Sequence, residues 1–355
     1  MKYIREYQIF ESEPIRTVFT KEQLNWLDKC VEKSWKYNPS TGLVDVDGDF
    51  DCSEQGLTDL KGVRFGKVSG DFDCEGNRLT SLAGAPQEVK EGFNCNSNLL
   101  TTLEGAPQSV GGDFHCQNNQ LTSLVGAPRA VGGAFSCYRN LLTTLVGAPQ
   151  TVGGYFHCHY NQLNSLEGAP QTVGGRFDCR SNQLTTLEGA PQKVGEHFIC
   201  SHNQLISLVG APRKVSGDFT CKNNELTSLV GAPQTVDEFF NCSINQLTSL
   251  VGAPRKVGGD FTCRYNELTS LEGAPQEVKG IFHCGQNPVT EKTLKEILDY
   301  IGMRRSYLDV VKSRWYLFPL DDQVLLYRPE FEWIGAEERK KLEALKTYAN
   351  IKRMI

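Results

Sequence analysis

Six histidines and thirteen cysteines are the side chains of this 355-residue chain best suited to nucleophilic, base or soft-metal chemistry. His157 and His159 stand at i, i+2, so on an extended segment both point to one side, which is half of a zinc site. No third ligand recurs at a fixed spacing, and no C-x-x-C pair occurs. His157 and Asp178 lie one repeat apart and could imitate a base with its orienting carboxylate. No nucleophile stands beside them. P-loop, dinucleotide-glycine, G-x-S-x-G and H-E-x-x-H patterns are all missing. An enzyme is therefore not expected, and neither is a cofactor or a metal.

The cysteines have another explanation in their spacing. Twelve fall at 52, 74, 95, 116, 137, 158, 179, 200, 221, 242, 263 and 284, and after one step of 22 every step is 21. Phe precedes each by two residues; Asn follows by three, with Gln55 in the first copy; Leu follows at five and eight in the first eleven. Gly-Ala-Pro closes ten copies, from Gly84 to Gly273. Such a period specifies a solenoid over 48–289. Phe114 and Cys116 point to one face of a short strand while Asp113, His115 and Gln117 point to the other. The expectation is a mainly β repeat solenoid of about twelve 21-residue coils forming one parallel sheet. Buried Phe and Cys columns run beneath it, the thiols are free, and Asn turns inward to satisfy backbone groups.

F-x-C-x-x-N-x-L-x-x-L resembles the L-x-L-x-x-N-x-L-x-x-L core of leucine-rich repeats, with Phe and Cys in place of two leucines. The short length and Pro-bearing return are similar to the bacterial effector subtype of that family. Such effectors often carry a ubiquitin-ligase domain with a nucleophilic Cys. Residues 290–355 contain no Cys and are too few for one.

Function is expected where the copies disagree, on the outward strand face. Coils 5–8, counted by their cysteines 137 to 200, are expected to hold the binding centre. There lie Tyr138, Arg139, Tyr155, His157, His159, Tyr160, Arg176, Arg180, His197 and His202; Lys222, Arg264 and Tyr265 extend the face. Aromatic area and forked guanidinium donors suit protein recognition. Histidine protonation is expected to strengthen binding as pH falls from about 7.5 to 5.5. Asp49, Asp51, Glu54, Asp71, Asp73 and Glu75 crowd the first strands, and the basic residues lie further on. That gradient favours a partner with an acidic portion, whether an acidic protein surface, a nucleotide or a phosphorylated group. A net charge of −5 weighs against generic nucleic-acid binding. A monomer is expected.

Solenoid ends need caps. Residues 13–47 are expected to form the N-terminal one, with a helix beginning at the Thr20/Gln23 capping box whose Leu24, Leu27 and Val31 share one face, with Trp26 and Trp35 nearby. Residues 290–355 are read as a helical C-terminal cap: a helix after Thr290, a second over about 306–316, and a final one bearing Leu342, Leu345, Tyr348 and Ile351. Residues 1–12 resemble the capsid-targeting peptides of internal head proteins in T-even-like tailed phages. The matching features are Met1-Lys2, Glu6-Tyr7 and Ile9-Phe10-Glu11 before Ser12. The resemblance implies cleavage between Glu11 and Ser12. The opening segment lacks a signal-peptide core, and no membrane-length apolar run occurs. The expected locations are thus a host cytoplasm or a virion interior. Two functions follow: a phage-encoded binding protein engaging a host component, or a structural virion protein using the solenoid as a stiff spacer.

Overall fold

In the segment carrying Phe and Cys at i, i+2, two residues of most copies enter regular ladder pairing, and stacking makes them a sheet. The computed structural model describes residues 18–288 together with the strands Tyr307–Val310, Trp315–Leu320 and Gln323–Tyr327. Twelve short parallel strands, from Phe50–Asp51 to Ile281–His283, pair in strict register, Phe against Phe. Adjacent Phe rings are nearly parallel, with centroids 5.1 to 5.6 Å apart along the whole column. That offset stack has the strand spacing as its pitch. All twelve repeat cysteines are buried free thiols. Several Sγ donate to a carbonyl of the next coil, as Cys179 does to Ile199 at 3.4 Å.

The Asn column works as expected. Asn182 Nδ2 donates to the carbonyls of Cys158 and Cys179, while its Oδ1 accepts from Leu163 N–H. One amide thereby satisfies backbone groups of two coils that turn away from the ladders. The Leu pairs fill the interior, and each Gly-Ala-Pro glycine adopts φ between 81 and 97°. A side chain there would also strike the Leu carbonyl region of the preceding coil.

The return flank is more regular than the sequence suggests. The Val before each strand, from Val68 to Val278, forms a second parallel ladder. It runs unbroken to Lys193–Val194 and resumes at Lys214–Val215. At the N-terminal end, the helix α1 (Lys21–Cys30) has the full capping box and buries Trp26, Leu27 and Cys30. A hairpin of Ser34–Asn38 with Leu43–Asp47 starts the second ladder.

The helix expected over 306–316 is corrected. Tyr307–Val310 instead adds a parallel strand to Ile281–His283, and Trp315–Leu320 and Gln323–Tyr327 follow antiparallel. Seven of the fifteen residues in these strands are aromatic or β-branched, which suits a sheet, and the edge of Ile281–His283 supplies the ladder to pair with. The hairpin leaves the Phe sheet ending in antiparallel strands. The helices expected after Thr290 and near Leu342, and the segment ending at Glu11-Ser12, lie outside the described residues.

Candidate functional site

Four outward columns make the variable face, at positions −3, −1, +1 and +2 relative to each cysteine. Their exposure differs for a backbone reason. The +2 residue leaves the strand with a positive φ in every coil: Arg139 at 52°, Tyr160 at 53°, His202 at 57°, Ile244 at 58° and Tyr265 at 55°. This left-handed turn carries the side chain out of the sheet, so Tyr160 and Tyr265 are exposed. In the −1 and +1 columns, neighbouring coils cover the side chains. Ser136, His159, Asp178 and Ser201 are buried.

In coils 5–7 these columns form one polar and aromatic cluster. The Tyr138 ring stacks on His159 with centroids 4.5 Å apart, and Tyr155 stacks on His157 at 4.2 Å. His157 and His159 meet edge to face, and Tyr160 closes over His159 the same way. Arg139 lies 5.7 Å above the Tyr160 ring, a cation–π contact. Asp178 sits beneath with 1% of its surface exposed. Its Oδ1 accepts from Arg180 N–H, and its Oδ2 lies 3.4 Å from Arg180 Nε and 3.8 Å from His159 Nδ1. The sequence paired His157 with Asp178; the two are register partners, but the carboxylate approaches His159.

Several buried atoms here have no hydrogen-bond partner among the described residues: His157 Nε2, His159 Nδ1, Arg176 Nε, Arg180 Nε and Asp178 Oδ2. Protonation follows from this environment. Burial first, then Arg176, pulls the His157 pKa down to about 3; burial and then Arg180 pull His159 to about 4. Burial pushes Asp178 up, against the opposing pull of Arg180. His202 is lowered by burial and by Lys222. The expected gain in affinity between about pH 7.5 and 5.5 is therefore corrected for His157 and His159, which stay neutral throughout that window. His159 is also corrected from an exposed contact to a buried support under Tyr138 and Tyr160.

Tyr138, Arg139, Tyr155, His157, His159, Tyr160, Arg176 and Arg180 thus come together. His202 lies beside Lys222 and Asn223 at the edge, with Asn223 Nδ2 and His202 Nδ1 2.7 Å apart. His197 Nδ1 accepts from Asp218 N–H at 2.9 Å. Arg264 and Tyr265 belong to the coil of Cys263, four strands from that of Arg180, or about 19 Å along the stack. The face carries them without joining them to the cluster. Asp178 is the residue sequence reasoning left out of the candidate site; its register opposite His157 was the available signal. Among the described residues, two groups bring possible metal-ligand atoms within 4.8 Å of one another: His197, Asp218 and Glu238, and Asp49, Asp71 and Glu91. In both, side chains already accept backbone N–H groups.

No family model and no curated protein matches this chain. Among solved structures it is similar to YopM, described as a leucine-rich effector protein from Yersinia pestis. Identity is 16% over 68% of this chain and 84% of that one, with a TM-score of 0.44. It is also similar to a leucine-rich-repeat protein of Leptospira interrogans, at 13% identity over 73% of this chain and 95% of that one, with a TM-score of 0.32.

Proposed function

We propose that the protein is a non-enzymatic binding module whose outward strand face, centred on coils 5–7, recognises a protein partner. The observation carrying this reading is the contrast between an interior repeated residue for residue and one face where aromatic, Arg and His side chains gather. Exposed Tyr160 offers large area with few rotors, and exposed Arg139 and the other guanidinium groups offer directional donors. The finer form of the proposal is a phage-encoded protein meeting a host component, prompted by the N-terminal resemblance and located in a host cytoplasm or virion interior. Among the described residues no helix is long and apolar enough to cross a membrane.

The test is capture of a stoichiometric partner from host lysate by the wild-type chain and two variants. Tyr160→Ala with Arg180→Ala is expected to weaken binding by about 2–4 kcal/mol, and to lower thermal stability as well, because Arg180 is the nearest cation to buried Asp178. Lys193→Ala on the return flank is expected to leave binding intact. Loss with the flank variant and retention with the face variant would place recognition on the wrong side.

A further inference from the structure

Where a copy carries Asp or His at the −3 position, that side chain serves the backbone of the next coil. Asp49 accepts from Asp71 N–H at 2.8 Å, Asp113 from Ala134 at 2.7 Å, and His197 from Asp218 at 2.9 Å. Asp218 accepts from Phe239 at 3.0 Å and Asp260 from Ile281 at 2.7 Å. Asp71 likewise accepts from Gly92 N–H. The N–H served lies one residue before the Phe ladder, where the adjoining coil offers no carbonyl.

Coils 5, 6 and 7 place Ala134, Tyr155 and Arg176 in this column, and none of these side chains accepts such a bond. As after Gly92 and Phe239, the next N–H is then unserved: the backbone N–H groups of Tyr155, Arg176 and His197 have no hydrogen-bond partner among the described residues. These three donors come from successive coils, in the same column as Arg176, whose Nε is buried and also unpaired. Arg176 and Arg180 both act on His157 and Asp178, so their charges converge beside this row. Arg139, Arg176 and Arg180 against Asp178 give +3 − 1 = +2 in the cluster.

We infer that coils 5–8 form a carboxylate-binding seat, in which an Asp or Glu side chain of an acidic segment in the protein partner takes the place Asp113 and Asp218 hold in their own coils. The external carboxylate accepts from the Arg176 or His197 backbone N–H and from the Arg176 guanidinium, and Arg180 supplies further positive charge. The internal aspartates argue for a carboxylate: the chain itself fills the equivalent position with that group. This inference rests on the reading that the face binds a protein.

The full chain, labelled with 15N, is titrated with hexaglutamate, hexaglutamine and inorganic phosphate. Hexaglutamate is expected to shift the backbone signals of Tyr155, Arg176 and His197 and the Nε–H signals of Arg176 and Arg180; hexaglutamine is not. Arg176→Gln is expected to weaken hexaglutamate binding about tenfold or more, the loss of one charge-assisted hydrogen bond. Arg213→Gln, an equal change of charge on the return flank, is expected to leave it within about twofold. Arg176→Asp copies the arrangement of Asp113 and Asp218, so it is expected to protect His197 N–H from exchange and abolish binding. Equal weakening by Arg213→Gln, or shifts with phosphate that hexaglutamate cannot compete away, would overturn the inference. Should hexaglutamate move none of these signals while Tyr160→Ala with Arg180→Ala still loses the captured partner, the carboxylate seat falls and the protein-binding reading stands.

Discussion

Replacing Asn182 tests what holds successive coils together. Its Nδ2 lies 3.1 Å from Cys158 O and 3.0 Å from Cys179 O, and its Oδ1 lies 3.0 Å from Leu163 N. Asn182→Ala leaves one N–H and two carbonyls buried without that amide. At about 1–1.5 kcal/mol for each abandoned group, the cost is about 3–5 kcal/mol. Asn182→Asp keeps the acceptor for Leu163 but turns an oxygen towards two carbonyls and buries a charge. It should cost more than Ala at pH 7.5, although it is nearer in shape. The burial that destabilises this carboxylate also raises its pKa, so the excess cost should shrink as pH falls through that raised value. Urea unfolding followed by circular dichroism at pH 7.5 and 4.5 gives the stabilities. Hydrogen exchange at Leu163 and Phe177 shows whether the damage is local, since solenoids open in segments. An Ala variant losing under 1 kcal/mol, or an Asp variant no worse than Ala at pH 7.5, would refute the reasoning.

His157 and His159 stay neutral in the fold but not in the unfolded chain, so their contribution is complete above about pH 6.5 and is lost as pH falls towards 3–4. With partial solvent screening, His157→Gln with His159→Gln should remove about 1–2 kcal/mol of the stability lost between pH 7 and 5, read by urea unfolding at both values. Ile244 holds a β-branched side chain at φ 58° and is 46% exposed. Ile244→Asn should therefore stabilise by about 0.5–1 kcal/mol in thermal denaturation, and a loss would show that the left-handed turn carries no strain. Burial raises the pKa of every cysteine from Cys52 to Cys263, so native alkylation followed by mass spectrometry should be slow there; rapid labelling of Cys179 would contradict its inward position.

The sequence alone determined the scaffold. A 21-residue period with Phe, Cys, Asn and Leu at fixed offsets admits one kind of solution, because each identical copy must bury the same residues against identical neighbours. The buried Phe and Cys columns, the bridging role of Asn182 and its equivalents, and the capped helix at Thr20 were all legible from spacing. The second ladder through Val152 and its equivalents was not. A two-residue strand has no periodicity of its own, and it pairs only because its neighbour repeats one coil away. The strand at Tyr307–Val310 had strand-favouring residues in its sequence, but the edge of Ile281–His283 that it pairs with exists only in the fold. At the candidate site, sequence identified the variable residues and tertiary structure decided their states. Stacked coils about 4.8 Å apart bury or half-bury most of the −1 and +1 columns. Buried Asp178 and His159 and half-buried His157 thereby became a cluster with shifted proton affinities, while the left-handed turn sent Tyr160 outward. Burial and neighbouring charge come from other coils, so no single copy of the repeat contains that information.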